Sequence, residues 1–265
     1  MNNLVLPLFL TLLSLSCASQ TNSTQTKEAT RPNCDPYIHE RLQFYFGRNE
    51  VEPAQVINKT EKYPGAWDSR TQKITIGNHT VEWIDRVDKR NSKSSVGING
   101  DLIALKDKQS VNAVDGSKNM GMNVVGVWDQ IKLYKLYDQE IIAITMSPRT
   151  CTGLMCSVGA QLYYDVKTKQ ETFFGTYQTN FREAKLYRFA NGEANYIVST
   201  NFDGDPHGGS TSAVTYELYK LGPRGDIQIQ KNPAGVNYFI KHTMFPETES
   251  KPDQIEQNWI EDIFK

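Results

Sequence analysis

The 265-residue chain predicts a mainly β fold: an antiparallel meander of hairpins, flanked by one N-terminal and one C-terminal helix. Three observations predict it. Between residue 70 and residue 245 the apolar positions alternate with a period near two rather than 3.6. Four segments repeat a Leu-Tyr pair that runs into a polar turn and then a second β-rich run. Only near the ends, after residue 33 and after residue 251, do apolar residues recur every three to four positions.

The first expected element is a helix over Asp35–Phe46. Asp35 suits its N-cap, Pro36 its first turn and Gly47 its end. A hairpin follows, in which Lys73–Ile76 and His79–Ile84 flank the turn pair Gly77-Asn78. Residues 89–122 are rich in Lys, Ser, Asn and Gly and read as long loops around one strand, Asp101–Leu105. The Leu-Tyr pairs are Leu133-Tyr134, Leu162-Tyr163, Leu186-Tyr187 and Leu218-Tyr219, spaced 29, 24 and 32 residues apart. Their turns are Tyr137–Gln139, Val166–Lys169, Ala190–Glu193 and Gly222–Gly225. Each interval holds two strands and two connections, too short for a full propeller blade of roughly 40–50 residues. A barrel, a sandwich and an irregular propeller-like sheet all fit this spacing. The last expected element is a helix over Pro252–Phe264, where Ile255, Trp259 and Ile263 repeat every four residues.

The start of the chain gives an address. Asn2–Ser16 carries no charge and is dominated by leucine, over a length that suits a signal h-region and falls short of ~30 Å of hydrocarbon. Leu13-Ser14-Leu15-Ser16-Cys17 resembles the lipobox of bacterial lipoproteins, in which the cysteine after the cleavage site takes the lipid. That resemblance implies lipidation at Cys17, and Ala18 after it implies an outer-membrane destination. Ser16-x-Ala18 also fits cleavage by ordinary signal peptidase, which would release a secreted protein. Residues 18–33, rich in Ser, Thr, Gln and Asn, read as a flexible polar tether. The expected organisation is therefore 1–17 export signal, 18–33 tether and 34–265 a single β-rich domain in the periplasm or on the outer membrane.

Composition narrows the function classes. The 29 basic and 30 acidic side chains nearly cancel, and all lie beyond Cys17. That balance argues against a nucleic-acid binder, which needs a basic stripe to track phosphates. Of the four cysteines, Cys151 and Cys156 enclose a short Gly-containing loop and read as a local disulfide in an oxidising compartment, leaving Cys34 as the odd one.

No spacing specifies a reaction. The densest polar constellation is Asn201–Thr211, in which Asn201, Asp203 and Asp205 offer oxygen ligands and His207 a ring nitrogen. Gly208 stands sixth from Asp203, as in an EF-hand loop, but the twelfth position is Val214 where that loop requires a bidentate Glu. A glycine-rich turn loop is the leading reading, and a Ca²⁺ or Zn²⁺ site the alternative. A nucleophile elbow and an H-E-x-x-H helix are both absent from the sequence. Trp67, beside the turn residues Tyr63-Pro64-Gly65, suits an interface anchor, whereas Trp83 and Trp128 read as core. The expectation is a non-catalytic binding protein, without a cofactor, whose partner is an envelope or secreted protein. An inhibitor or immunity protein against a secreted toxin or lytic enzyme belongs to this class. The alternative is an envelope hydrolase, perhaps a metal enzyme, working through Asn201–Thr211.

Overall fold

The computed structural model describes residues 48–59, 70–88, 91–105, 108, 125–148, 159–176, 184–188, 195–203, 212–245 and 254–257. Within them the protein is mainly β, built from three antiparallel sheets. The first sheet joins β2 (Arg70–Ile76), β3 (His79–Asp88), β4 (Asn91–Ile98) and β5 (Asp101–Ala104) in sequence order. The central sheet joins β6 (Val125–Leu136), β7 (Gln139–Pro148), β8 (Gly159–Asp165) and β9 (Glu171–Thr176), with β1 (Gln55–Asn58) on the outer edge of β6. The third sheet runs β10 (Lys185–Arg188), β11 (Asn195–Asp203), β12 (Ser212–Leu221), β14 (Phe239–Met244) and β15 (Gln254–Gln257), with β13 (Ile227–Ile229) also on β12. Strand order follows chain order apart from β1 and β13, so each sheet is a meander, and the expected hairpins Lys73–Ile84 and the four Leu-Tyr runs fall on paired strands.

The central sheet is buried on both faces, and this fixes the layering. Ile142, Ile144 and Met146 of β7, with Leu162 and Tyr164 of β8, join Val81, Trp83, Val96 and Ile98 of the first sheet in one core. Their neighbours Ile141, Ala143 and Tyr163 face the other way, joining Leu186, Ile197, Tyr219 and Leu221 of the third sheet. The period of two sends alternate side chains to opposite faces. A strand that is apolar at successive positions, as in Ile141–Ile144, therefore needs a layer on each side. Full burial of each such side chain contributes roughly 1.5–3 kcal/mol. The result is a face-to-face stack of three blade-like meanders, and among the described strands no sheet closes on itself.

Polar bonds between layers set how the stack is aligned. Trp128 Nε1 donates to Gln72 Oε1 at 2.8 Å, from the central sheet to the first. The Tyr163 hydroxyl donates to the Ala184 carbonyl at 2.6 Å, from the central sheet toward the third. The Tyr164 hydroxyl donates to Asp101 Oδ2 at 3.0 Å, and Lys169 Nζ reaches Asp101 Oδ1 at 2.9 Å. Lys169 first, then Tyr164, holds the Asp101 carboxyl below the ordinary carboxylate range. Burial, and then the bond to Asp101, pushes the Tyr164 phenol up to about 12.

The segment before β2 crosses all three layers. Glu50 bridges to Tyr187 on β10, and the Val51 N–H donates to the Leu186 carbonyl at 2.8 Å. The Ala54 N–H then donates to Leu133 O at 2.7 Å and β1 pairs with β6. Gln55 Oε1 accepts from the Gly77 N–H at 2.7 Å, in the β2–β3 turn of the first sheet.

Two expectations are corrected. Residues 91–98 are not loop: they form β4, because Asn99 (φ 52°) and Gly100 (φ 92°) make a two-residue turn with φ positive at both positions. That is the I′ geometry that matches strand twist. Gln254–Gln257 is not helical: it is β15, pairing with Thr243–Ile240 of β14. A sheet edge with open hydrogen-bonding groups outweighs a weak four-residue repeat at this position. The rest of the expected C-terminal helix, and the helix expected over Asp35–Phe46, lie outside the described residues.

Two consequences are measurable. Gly225 has φ 77°, and a Cβ there would lie 2.4 Å from Asp165 Cβ. Gly225→Ala is expected to lower stability by about 2–4 kcal/mol in urea denaturation. The second concerns pH. Because the folded phenol of Tyr164 ionises at about 12 against ~10 in the unfolded chain, the unfolded state loses this proton first. The stability linked to the protonated phenol is then complete below pH ~10 and is lost as the pH rises toward about 12. Asp101, with its lowered value, contributes above pH ~4 and loses that contribution as the pH falls. Tyr164→Phe should flatten the fall in urea midpoint between pH 10 and 12 relative to wild type, and an unchanged slope would refute the assignment.

Candidate functional site

Antiparallel pairing gives the stack two unlike ends. At one end sit the turns between β2 and β3, β4 and β5, β6 and β7, β8 and β9, and β12 and β13. At the other lie the strand ends Pro148, Gly159, Asp203 and Ser212.

The turn end is bonded together across the layers. His79, buried at the start of β3, has Nε2 2.7 Å from Glu140 Oε2 and Nδ1 3.0 Å from Asn99 Nδ2. Asn99 Oδ1 accepts from the Thr80 N–H at 3.0 Å, so its amide nitrogen must face the ring. His79 Nδ1 therefore accepts, the ring proton sits on Nε2, and that N–H donates to Glu140. Both ring nitrogens are hydrogen-bonded, Nδ1 to Asn99 within the first sheet and Nε2 to Glu140 of the central sheet. The second link is built around Asp165, buried at the end of β8. Its carboxylate accepts from the Thr168 N–H at 2.7 Å and from Gln139 Nε2 at 3.2 Å. The same Gln139 nitrogen lies 2.9 Å from the Gly222 carbonyl. Gly225 packs directly on Asp165 and Thr168, which seats the β12–β13 turn on the β8–β9 turn. A buried carboxylate with both oxygens bonded acts here as a register pin.

On this braced platform the β6–β7 turn, Tyr137-Asp138, carries the most exposed aromatic ring among the described residues. Tyr137 is 97% exposed. The Arg188 guanidinium lies 5.4 Å from its ring centroid and is itself held by Asn195 Oδ1, 3.2 Å from Nε and 3.0 Å from Nη2. Beside the ring an open groove of about 480 Å³ runs between the β6–β7 and β8–β9 turns, with Lys135, Asp138, Glu140 and Lys167 on its walls. Lys135 stands 3.6 Å from Glu140 Oε1 and Lys167 3.9 Å from Asp138 Oδ2. Exposed pairs of this kind are worth ~0–1 kcal/mol, so these charges are open to a partner. A platform of a fixed arginine under an exposed tyrosine offers recognition by contact and charge.

The residues singled out from the sequence are placed as follows. Asn201 and Asp203 stand on β11, opposite Thr215 and Ala213 of β12. Asp205, His207, Trp67, Cys17, Cys151 and Cys156 lie outside the described residues. Trp83 and Trp128 are core, 1% and 6% exposed. His242 lies within β14 and is buried. Among the described residues no three His, Cys, Asp or Glu side chains group as metal ligands. Sequence reading marked Tyr137-Asp138 only as a turn. Nothing in spacing distinguishes an exposed turn tyrosine from one folded back on a strand, and Arg188, 51 positions on, is brought to it by sheet stacking alone.

Comparison with family models, curated proteins and solved structures found no match to this chain.

The two kinds of residue at this end should separate in a stability measurement. His79→Ala strips partners from a buried position and is expected to cost about 1–3 kcal/mol. Tyr137→Ala is expected to stay within about 0.5 kcal/mol of wild type. Thermal or urea unfolding of the two variants checks both, and a large loss at Tyr137 would make it a structural residue.

Proposed function

We propose that this is an exported envelope protein, lipid-anchored through Cys17, with a non-catalytic binding role, acting as an inhibitor or immunity protein toward a secreted toxin or lytic enzyme. The observation that carries the binding reading is Tyr137, 97% exposed on a two-residue turn whose base is pinned by His79, Glu140, Gln139 and Asp165. The exposed ring is stacked with the Arg188 guanidinium, and Tyr and Arg are the residue types that dominate binding energy in protein interfaces. The leader and the polar tether of residues 18–33 support the address. A tether of this length and composition would let the β stack reach a partner while the lipid stays in the membrane.

The test is affinity capture with residues 18–265 as bait, wild type beside Tyr137→Ala, against envelope and secreted fractions. One stoichiometric protein held by wild type, and held about 10-fold more weakly or worse by the variant, is the expected result. No retained protein, or equal retention by both baits, would overturn the proposal.

A further inference from the structure

The two ring nitrogens of His79 face groups that respond in opposite ways to a proton. Nε2 lies 2.7 Å from Glu140 Oε2, a carboxylate that accepts from the ring whether the ring is neutral or charged. Nδ1 lies 3.0 Å from Asn99 Nδ2, an amide nitrogen that only donates. The far end of that amide is already committed, because Asn99 Oδ1 stands 3.0 Å from the Thr80 nitrogen and a backbone N–H only donates. A neutral ring with its proton on Nε2 satisfies all three bonds. An imidazolium does not. It carries N–H on both nitrogens, so Nδ1–H meets the Asn99 N–H group, donor against donor.

One amide oxygen does not serve donors at both ends of the amide. With the ring charged, Asn99 either turns its oxygen to the Nδ1–H or leaves the ring, and in both cases the Thr80 N–H loses its side-chain acceptor. Asn99 and Gly100 are exposed, so the amide turns in solvent and not against a packed core. The Asn99 N–H to Thr80 carbonyl bond, at 2.9 Å, holds the backbone together in either state. The bond to Glu140 gains instead, since it becomes charge-assisted. The charged groups on the surrounding elements are Lys135 of β6, 3.6 Å from Glu140 Oε1, and Asp138, 3.9 Å from Lys167. Asp101 of β5 is held by Lys169 and the Tyr164 hydroxyl, and Lys73 of β2 stands 3.6 Å from Glu82 of β3. Carboxylates and ammonium groups as types keep their charge between about pH 5 and 8, where imidazole changes its own. We infer that His79, Asn99 and Thr80 form a pH-sensitive switch, in which protonation of the ring takes Asn99 away from the Thr80 N–H and tightens His79 on Glu140. A bond within the first sheet is thereby exchanged for a stronger joint between the first and central sheets. The inference does not depend on what Tyr137 binds.

Amide and histidine-ring NMR of the full chain between about pH 8 and pH 5 tests it, with the His79 ring signals assigned by their loss in His79→Gln. The Thr80 amide signal is expected to shift toward its unbonded position with the same midpoint as the His79 ring, and to stay fixed in His79→Gln. Asn99→Asp offers a carboxylate oxygen to each donor, and Asp tolerates the left-handed backbone at residue 99 (φ 52°) as Asn does. In that variant the Thr80 shift should vanish, and the ring should hold its proton about 10-fold more tightly, as an added carboxylate requires. Melting temperatures close to wild type establish that each variant is folded, and Asn99→Asp carries the test alone where His79→Gln is not. A His79 ring that does not titrate in this range, a Thr80 amide that ignores it or follows a different midpoint, or an Asn99→Asp variant that behaves as wild type would each overturn the switch.

Discussion

Everything in this fold depends on a central sheet that cannot be left with a wet face. Ile141, Ile142, Ala143 and Ile144 are buried one after another along β7, and every residue of β8 is buried. Because successive strand residues point to opposite faces, that pattern demands an apolar layer above and another below. Hydrophobic burial is not directional, however, and would tolerate the outer sheets sliding or turning on the central one. What removes that freedom is a small set of polar bonds at the boundaries: Trp128 to Gln72, Tyr163 to Ala184, Tyr164 to Asp101, and Gln139 between Asp165 and Gly222. Each is worth only about 0.5–1.5 kcal/mol net, but each leaves buried polar groups unpaired if the layers shift.

The segment from Glu50 to Asn58 adds a covalent version of the same constraint. It is bonded to the edge of the third sheet, then to the edge of the central sheet, and through Gln55 to a turn of the first. This strap touches every layer.

The two ends of the stack divide the work. Short turns at one end bond to one another and hold Tyr137 and Arg188 in place, which lowers the ordering cost that a flexible loop would incur on binding. The candidate metal residues Asn201 and Asp203 are on strand β11, whose far end leads away from that platform. Neither residue is among those that brace Tyr137.

Much of the fold was legible in the chain itself. Period-two alternation announced the strands, Gly77-Asn78 announced a hairpin, and the four Leu-Tyr pairs fell on β6, β8, β10 and β12. Asn99-Gly100 was equally legible, since an Asn-Gly pair between alternating residues is a strong hairpin signal; the polar composition of residues 89–122 obscured it. The strand at Gln254–Gln257 was not legible, because four residues carry too little periodicity and the edge of β14 decides their state. The candidate site was legible least of all. Sequence alone determined local matters: which residues alternate, where the chain turns, and an uncharged apolar stretch followed by a cysteine. Tertiary structure decided which turns share an end, that His79 is spent on Glu140 and Asn99, and that Arg188 lies against Tyr137. Those contacts join residues 20 to 61 positions apart in the chain, and only strand pairing and the stacking of layers bring such residues within bonding distance.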